Sequence, residues 1–393
     1  MIEIDGSFGE GGGQVLRTAL TLSVITNQPV IISRLRAGRR NPGLAPQHLT
    51  VVHAMARVCD AKVRGAAIGS TEIEFRPQSH PRAGEYIFDV AEAAPGGSAG
   101  SVTLILQALL LPLALAGASS HLTLKGGTHV AWSPPFHYLA HVFLPTVARM
   151  GVRAEARLDA WGFYPVGGGR ISADVVPLPS IVPHAVAQRA ANGSATAVRT
   201  VPAFSSLSLI ERGPLKTIRG WAVAANLPAH IPQRMANRAR NVLAQQGLPV
   251  KITPVRERGA GPGAGLFLVA EYEHSLAGFS SLGEKGKPSD QVADEACRDL
   301  LAHHAAGAAV DMHLADQLLL PMALTSGRSE FRAGRVTQHL LTNVHVIRQF
   351  LPVEIEIVGE EGGPGAVTVT GTDWGDTDQR GRTRIDGIQS TPC

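Results

Sequence analysis

Three stretches of this chain repeat one pattern, and an internal repeat limits the fold more than any other feature of the sequence. Residues 104–117 and 314–327 each place a glutamine near the start of leucine-rich sequence, a proline a few residues later and a glycine at the end. The stretch that begins at Gln14 follows a run of glycines. All three stretches predict mostly buried helices. Repeated units of this kind bury their apolar faces against one another, so the fold must contain several similar units.

Each of these helices is followed by the same order of elements, which predicts a helix–strand–helix–strand unit in three copies. The first strands are predicted over 30–36, 121–125 and 329–332. The second helices begin near Gln47, Phe136 and Gln338. The second strands are predicted over 61–64, 152–156 and 353–358. We expect each unit to form a sheet with two helices on one face.

The spacing of the copies indicates an insertion between the second and the third. The interval from Gln107 to Gln317 is more than twice the interval from Gln14 to Gln107. The surplus is large enough for a small domain.

The expected fold is therefore α+β, with three repeated helix–strand units and an inserted smaller α/β domain. Residues 1–179 and 309–365 are expected to form the large repeat domain, and residues 180–308 the inserted domain, which includes a strand of its own over 207–211. Residues 366–393 are expected to form a flexible tail, because most of this segment is polar and rich in turn residues.

Composition is consistent with a folded protein in a reducing compartment. Hydrophobic residues make up 44% of the chain, enough for large cores. The 36 Lys and Arg against 32 Asp and Glu permit a nucleic-acid partner but are too few to coat a duplex. Three scattered cysteines without CxxC spacing suit a cytoplasmic location. The longest apolar stretch, 102–118, contains Gln107 and Pro112 and is shorter than the roughly 20 residues of a membrane span, so no membrane association is expected.

Two loops of the first unit are candidates for phosphate binding. Glu10 lies among glycines at 9–13, just before a helix, where backbone N–H groups favour anions. Glu10 could also hold a divalent cation against phosphate oxygens. The second loop carries Arg36 and Arg39, beside Arg34 and Arg40, and guanidinium groups pair with phosphate in a bidentate way. A plain turn and a solvated basic loop are the structural alternatives.

Two histidines occupy equivalent places near the start of a second helix. His48 and His339 both lie in Gln-His-Leu sequences. A helix N-terminus lowers the proton affinity of an imidazole, and a neutral imidazole there is a competent nucleophile towards phosphorus. Spacing does not choose between them. Asp316 starts the third unit's first helix, where a carboxylate either binds a metal, orients an imidazole or only complements the helix dipole.

These motifs together resemble the RNA 3′-terminal phosphate cyclases. The matching strings are spread from residue 1 to about residue 358, so no single motif carries the resemblance. They are Asp5-Gly6 with Gly9-Glu10-Gly-Gly-Gly-Gln14, Arg36-Ala-Gly-Arg39 with Pro42-Gly43-Leu44, Gln47-His48-Leu49, Ser98-Ala-Gly-Ser101 with Gln107, Gly126-Gly-Thr128 with Pro134-Pro135, Gly162-Phe-Tyr-Pro165-Val-Gly-Gly-Gly169, Glu211-Arg-Gly213, Asp316-Gln317 and His339-Leu340.

The resemblance implies three repeats similar to the C-terminal domain of translation initiation factor three, with an inserted smaller domain. It also implies a reaction in which a histidine attacks the α-phosphate of ATP, giving an enzyme–histidine–AMP intermediate and pyrophosphate. AMP then passes to an RNA 3′-terminal phosphate, and the neighbouring 2′-hydroxyl displaces AMP to leave a 2′,3′-cyclic phosphate. The implied partner is RNA with a 3′-terminal phosphate, the implied cofactors are ATP and a Mg or Mn ion, and a homodimer is a further expectation.

Between the two candidate histidines, the resemblance selects His339 as the nucleophile. Glu10 matches the acid of the family's metal and phosphate loop. The other implied nucleotide- and phosphate-binding residues are Arg17, Arg36, Arg39, Gln107, Pro134, His313, Asp316 and Gln317. The sequence departs from the family pattern at Trp161, where Arg or His is usual, and at His313, where an aromatic ring often stacks on the base.

Two other functions fit parts of the pattern. A catalytically inactive relative that serves ribosome assembly as a binding protein would share the fold but lack the nucleophilic histidine, whereas His339 and Glu10 are present here. An enolpyruvyl transferase would share the repeat architecture, but it needs a different set of lysines and arginines, for which this chain has no matching string.

Overall fold

The computed structural model describes residues 1–93, 98–181, 201–202 and 204–371, and its strands form several small mixed sheets. The first sheet contains β1 (Ile2–Asp5), β2 (Val30–Ser33), β3 (Lys62–Arg64) and β4 (Ile73–Arg76). The second contains β5 (Glu85–Asp89), β6 (Ser120–Gly126), β7 (Arg153–Ala160) and β8 (Gly169–Val176). Strands β9 (Ser180–Ile181) and β10 (Val201–Pro202) pair only with each other. The third four-stranded sheet contains β11 (Ser208–Leu209), β16 (Gly327–Ala333), β17 (Glu354–Val358) and β18 (Gly365–Gly371).

These three sheets have the same order of pairing. In each, the first two strands in the chain are parallel, and the last strand lies between the second and the third with antiparallel neighbours. The second sheet follows the order β5-β6-β8-β7 and the third the order β11-β16-β18-β17. A further sheet of β12 (Leu215–Ala225), β13 (Val250–Glu257), β14 (Gly263–Tyr272) and β15 (Leu276–Leu282) has the order β13-β12-β14-β15.

Helices cover the sheets and pack on one another, so the prediction of mixed α and β structure is confirmed. They are α1 (Gly13–Thr26), α2 (Pro46–Cys59), α3 (Val102–Ala114), α4 (Phe136–Tyr138), α5 (Leu144–Ala148), α6 (His230–Gln245), α7 (Ser289–Ala306), α8 (Met312–Ala323) and α9 (Gln338–Phe350). Helix α1 contacts α2, α3 and α9. Among the described residues, no helix combines the length and the apolar character that crossing a bilayer requires.

Helix α3 shows how the sequence pattern sets up this packing. Its residues are apolar on nearly every side, and every residue except Gln107 is buried. A helix of this kind belongs inside a large core rather than on the surface. Ser101 begins the helix by accepting a hydrogen bond from the Leu104 N–H at 3.4 Å. Gln107 is therefore the one polar side chain that α3 presents to a neighbouring cavity.

Two predicted boundaries are wrong. The sequence predicts a flexible tail over 366–393, but residues 365–371 form β18, because the apolar side chains of Val367 and Val369 alternate into the core. Residues 372–393 lie outside the described residues. The strand predicted over 207–211 as part of the insert instead pairs with β16 of the third sheet, since Leu207 and Leu209 are buried in the large core.

The β12–β15 sheet and helices α6 and α7 enclose a core of their own. It includes Ile218, Met235, Leu266 and Leu300, whereas the large core joins the other three sheets with their helices. Because the two cores are built from different residues, we propose that the chain divides into a large body and an inserted unit, with the insert starting after β11.

The buried carboxylate of Asp311 ties three parts of the chain together. It lies just before α8 and accepts hydrogen bonds from the N–H groups of His313 and Leu314, both at 2.9 Å. The Tyr138 hydroxyl of α4 donates to it at 2.8 Å, and the Gly278 N–H of β15 donates at 3.1 Å. One side chain thus caps α8 and joins the third unit to the second unit and to the insert.

We expect Asp311→Ala to lower the free energy of unfolding by about 3 kcal/mol, because it leaves buried donors without an acceptor and removes a helix cap. Urea unfolding followed by circular dichroism measures this. The control is Asp299→Ala, since Asp299 is exposed on α7 and its ion pair is with the adjacent Arg298; it should change the free energy by less than about 0.5 kcal/mol. Equal losses in the two variants would contradict the role given to Asp311.

Candidate active site

His339 lies in the first turn of α9, at a point fixed by the helix start. The Thr337 side chain accepts a hydrogen bond from the Leu340 N–H at 3.1 Å and begins the helix. The His339 imidazole is about half exposed, with 45% of its side-chain surface accessible. A reactive side chain at a helix N-terminus therefore remains open to a ligand.

A chain of hydrogen bonds orients the His339 ring. The Gln14 side-chain amide donates to Asp316 Oδ2 at 2.7 Å, which turns its carbonyl oxygen towards His339 Nδ1. This oxygen can only accept, and so can Glu10 Oε2, which lies 3.2 Å from Nε2; because the contact with Gln14 is the shorter of the two, we assign the proton of the neutral ring to Nδ1. The lone pair of the imidazole is then on Nε2.

Nε2 of His339 faces the glycine-rich loop. Glu10 Oε2 lies 3.2 Å from Nε2 and 3.5 Å from the Arg39 guanidinium. Burial lowers the pKa of His339, and the positive charges of Arg17 and Arg39 lower it further, although Glu10 opposes them. These effects favour the neutral imidazole at neutral pH.

The glycine-rich loop requires glycine where it crosses the site. Gly9 and Gly11 have φ values of +64° and +55°, the left-handed region that glycine adopts without strain. At Gly13, a Cβ atom would lie 2.1 Å from His48 Nε2. The loop is held against α9, because the Phe8 ring stacks on His345 with centroids 3.8 Å apart.

His48 occupies a different environment from His339. It is buried, and its Nδ1 accepts a hydrogen bond from the Ala45 N–H at 3.2 Å, so Nε2 carries the proton. Burial lowers the pKa of His48 to about 3, with a smaller contribution from Arg17 and Arg36. His339 therefore has both an exposed side chain and the free lone pair, whereas His48 is buried beneath the glycine loop.

The predicted polar residues on the first helices line one cavity of about 90 Å³ between α1, α3 and α8. The Gln107 amide donates to Gln317 Oε1 at 3.0 Å across it. Burial raises the pKa of Asp316 to about 7 and lowers the pKa of Arg17 to about 10, although each charge attracts the other. Arg17 and Asp316 thus place a guanidinium group and a carboxyl group that titrates near neutral pH in a partly closed space.

The remaining predicted residues are less central. The Arg36 guanidinium donates to the Gly43 carbonyl at 2.7 Å and so braces its own loop. His313 is exposed, packs edge-on to Tyr138 with centroids 6.3 Å apart, and lies near enough to lower the pKa of His339. The Pro134 carbonyl accepts a hydrogen bond from the Thr103 hydroxyl at 2.6 Å.

Trp161, one of the two positions that depart from the family pattern, lies in a cluster of aromatic side chains. Its ring stacks on the buried His129 with centroids 4.7 Å apart. His129 in turn contacts His137 and Phe267, so the cluster joins the second unit to the insert. The departure therefore changes a packed interface between two parts of the chain.

Two polar residues of the site were not among the predicted site residues, although Gln14 marks the start of the first repeat. Gln14 orients His339, and Asn343 accepts a hydrogen bond from Thr18 at 2.7 Å and donates to the Asp316 carbonyl at 2.9 Å. Helical spacing was the available signal, because Gln14 and Thr18, like His339 and Asn343, are four residues apart on one helix face.

Comparison with known proteins matches this chain to one family. A family model described as RNA 3′-terminal phosphate cyclase matches residues 8–357. A protein of Trichormus variabilis named "RNA 3′-terminal phosphate cyclase" is 52% identical over 350 residues, covering 89% of this chain and 94% of its own length. Proteins with the same name from Methylococcus capsulatus and Ignicoccus hospitalis are 49% and 40% identical and cover 94% and 95% of this chain.

A mixed α/β protein with a glycine-rich loop opposite a histidine is thus matched along most of its length by one group of proteins. The chain belongs to the RNA 3′-terminal phosphate cyclase family.

The raised pKa of Asp316 predicts a pH dependence of stability. Its pKa is about 7 in the folded protein and about 4 when unfolded, so the folded state binds the proton more tightly. The contribution of this group is therefore largest below about pH 4, falls as the pH rises to about 7 and is then constant.

We expect wild type to lose stability relative to Asp316→Asn as the pH rises from 5 to 8, because the amide never ionises. Urea unfolding of both proteins at several pH values measures the difference. A difference that stays constant over this range would contradict the raised pKa.

Proposed function

We propose that this protein converts an RNA 3′-terminal phosphate to a 2′,3′-cyclic phosphate at the expense of ATP. The observation that carries the proposal is the orientation of His339: Nδ1 is held by Gln14, and Nε2 faces Glu10 and Arg39 at the glycine loop. The names of the similar proteins support the same activity.

In the first step, His339 Nε2 attacks the α-phosphorus of ATP. A phosphorus–nitrogen bond forms, the bond to the bridging oxygen breaks, and pyrophosphate leaves. The Nδ1–H···Gln14 hydrogen bond stabilises the positive charge that develops on the ring, because Gln14 is itself held by Asp316. Arg39 and the N–H groups of the glycine loop are placed to bind the departing phosphates.

The second and third steps transfer the activated group. An oxygen of the RNA 3′-phosphate attacks the adenylate phosphorus, and the bond to His339 breaks. The ribose 2′-hydroxyl then attacks the RNA phosphorus, and AMP leaves. Because this attack is intramolecular, alignment alone supplies up to roughly 7–11 kcal/mol of the barrier.

Glu10 is the residue that would hold a divalent cation. The described residues contain no group of three or more His, Cys, Asp or Glu that could enclose a metal ion. Mg²⁺ and similar ions are commonly held by one or two carboxylates together with substrate phosphates. The single carboxylate of Glu10, beside Nε2 of His339, fits that arrangement. The cation would neutralise charge on the phosphates.

The architecture fits three repeats arranged like the C-terminal domain of translation initiation factor three, with the inserted unit between the second and third. The shared strand order of the three sheets supports this division. A homodimer and a cytoplasmic location stay predictions.

The alternative of a catalytically inactive binding protein in ribosome assembly is less favoured. Such a protein has no need for an oriented imidazole, and the described site holds His339 by a part-buried chain of hydrogen bonds through Gln14 to Asp316. A reaction at Nε2 explains why the hydrogen bonds from Asp316 through Gln14 to His339 are present.

The first experiment tests the nucleophile with α-labelled ATP. We expect covalent, acid-labile label on wild type and on Leu341→Ala, a neighbouring control on α9, and none on His339→Ala, because Nε2 of His339 is the imidazole nitrogen that faces Glu10 in the glycine loop. Supplying a 3′-phosphorylated oligonucleotide should then yield a cyclic end. Label that persists in His339→Ala but disappears in His48→Ala would overturn the choice of histidine.

The second experiment tests the cation. We expect excess chelator to stop AMP transfer, and Glu10→Gln to raise the Mn²⁺ concentration for half-maximal labelling by at least about tenfold, since a charged ligand is lost. Glu354→Gln, an exposed change on β17, is the matched control. Equal metal requirements in the two variants would show that Glu10 holds no cation.

A further inference from the structure

Trp132 is a fully exposed tryptophan in the loop between β6 and α4. Trp161 and Trp221, in contrast, pack on the histidines of the interface with the insert. Tryptophan is highly buried on average, so an indole ring that packs on nothing is unusual. Its large flat surface remains open to a ligand with an aromatic face.

The loop holds Trp132 outward in a defined conformation. Its φ value is +63°, the left-handed region that residues other than glycine rarely adopt. The loop is fixed close by, since the Ser133 hydroxyl donates to the Val130 carbonyl at 3.0 Å and the Thr103 hydroxyl donates to the Pro134 carbonyl at 2.6 Å. A backbone held in such a region often belongs to a ligand-binding segment.

The attachment of this loop connects it to the cavity between α1, α3 and α8. Thr103, which holds Pro134, lies on α3 four residues before Gln107, a rise of about 6 Å along the same helix face. Gln107 contacts Gln317 in the cavity beside Asp316. Trp132 itself is not among the residues that line the cavity.

The strand order gives a second reason to connect this loop with the site. In the first sheet, the segment that follows β2 carries Arg36 and Arg39 and leads into α2. In the third sheet, the segment that follows β16 leads into α9 and His339. The segment that follows β6 holds the same place in the second sheet, and it carries the fully exposed Trp132.

We propose that Trp132 is a stacking platform for a nucleobase near the 3′ end of the RNA strand. This rests on the proposed function. Single-stranded RNA is commonly held by aromatic rings that stack on its bases, whatever their sequence. A net charge of only +4 leaves little capacity for gripping the strand through phosphates alone, so a base contact complements the arginines.

The test measures binding of a short, 5′-fluorescein-labelled, 3′-phosphorylated oligoribonucleotide by anisotropy, without ATP and at fixed salt. The proteins are full-length wild type, Trp132→Phe, which keeps an aromatic face, and Trp132→Leu, which keeps apolar bulk only. We expect Trp132→Phe to bind close to wild type and Trp132→Leu to bind at least about fivefold more weakly.

A second arm identifies the base. Each of the last nucleotides is replaced in turn by an abasic one. At one position, we expect the abasic nucleotide to weaken binding by wild type to the level of Trp132→Leu on the intact oligonucleotide. The same abasic nucleotide should not weaken binding by Trp132→Leu any further. Losses that simply add would overturn the proposal, as would wild-type affinity in Trp132→Leu.

Two further outcomes would also overturn it. A rise in the KM for ATP equal to the loss in RNA binding would place the ring against the adenine of ATP. A changed sedimentation coefficient in Trp132→Leu would make the ring a contact between two copies of the chain. If wild type itself neither binds nor cyclises the 3′-phosphorylated end, the proposed function fails, whereas normal cyclisation by both wild type and Trp132→Leu removes the stacking platform alone.

Discussion

The site depends on one hydrogen bond, between the side-chain oxygen of Gln14 and Nδ1 of His339. An imidazole has two nitrogens of similar chemistry, and a neighbour that can only accept decides which of them keeps the proton. Asp316 fixes the amide of Gln14 in turn, so the arrangement is enforced from inside the protein. The position of the lone pair on Nε2 is therefore a property of the fold before any substrate arrives.

That hydrogen bond exists because distant parts of the chain pack as helices side by side. Helix α1 contacts α9, and Thr18 and Asn343 join them by a buried hydrogen bond. Asn343 also donates to the backbone of α8, which carries Asp316. A second buried polar contact, at Asp311, holds the insert and the second unit to the start of α8. The large apolar core sets the helices close together, and these few polar contacts fix their relative rotation.

Much of this could be predicted from local sequence, and the failures have physical reasons. The buried helices follow from their leucine-rich runs, but β11 has only two residues and its sheet is chosen by a pairing across 122 positions. The polar sequence that follows the valines of β18 favours a flexible tail for the whole segment, although the valines themselves form a strand. His48 and His339 look alike in sequence; the structure separates them by burial and by the partner of Nδ1. Gln14 orients the ring of His339, which lies 325 positions later in the chain, so local sequence alone does not reveal this role.

The position of β11 has a consequence for the order in which the chain folds during synthesis. This strand precedes the proposed insert, yet β16, its partner among the described residues, follows it. The third sheet therefore cannot close until the ribosome has translated the whole insert and the strands beyond it. Glu10 and Gln14 are made early and His339 late, so a nascent chain carries the loop without the imidazole. The proposed site therefore cannot assemble until the ribosome has translated α9, which carries His339.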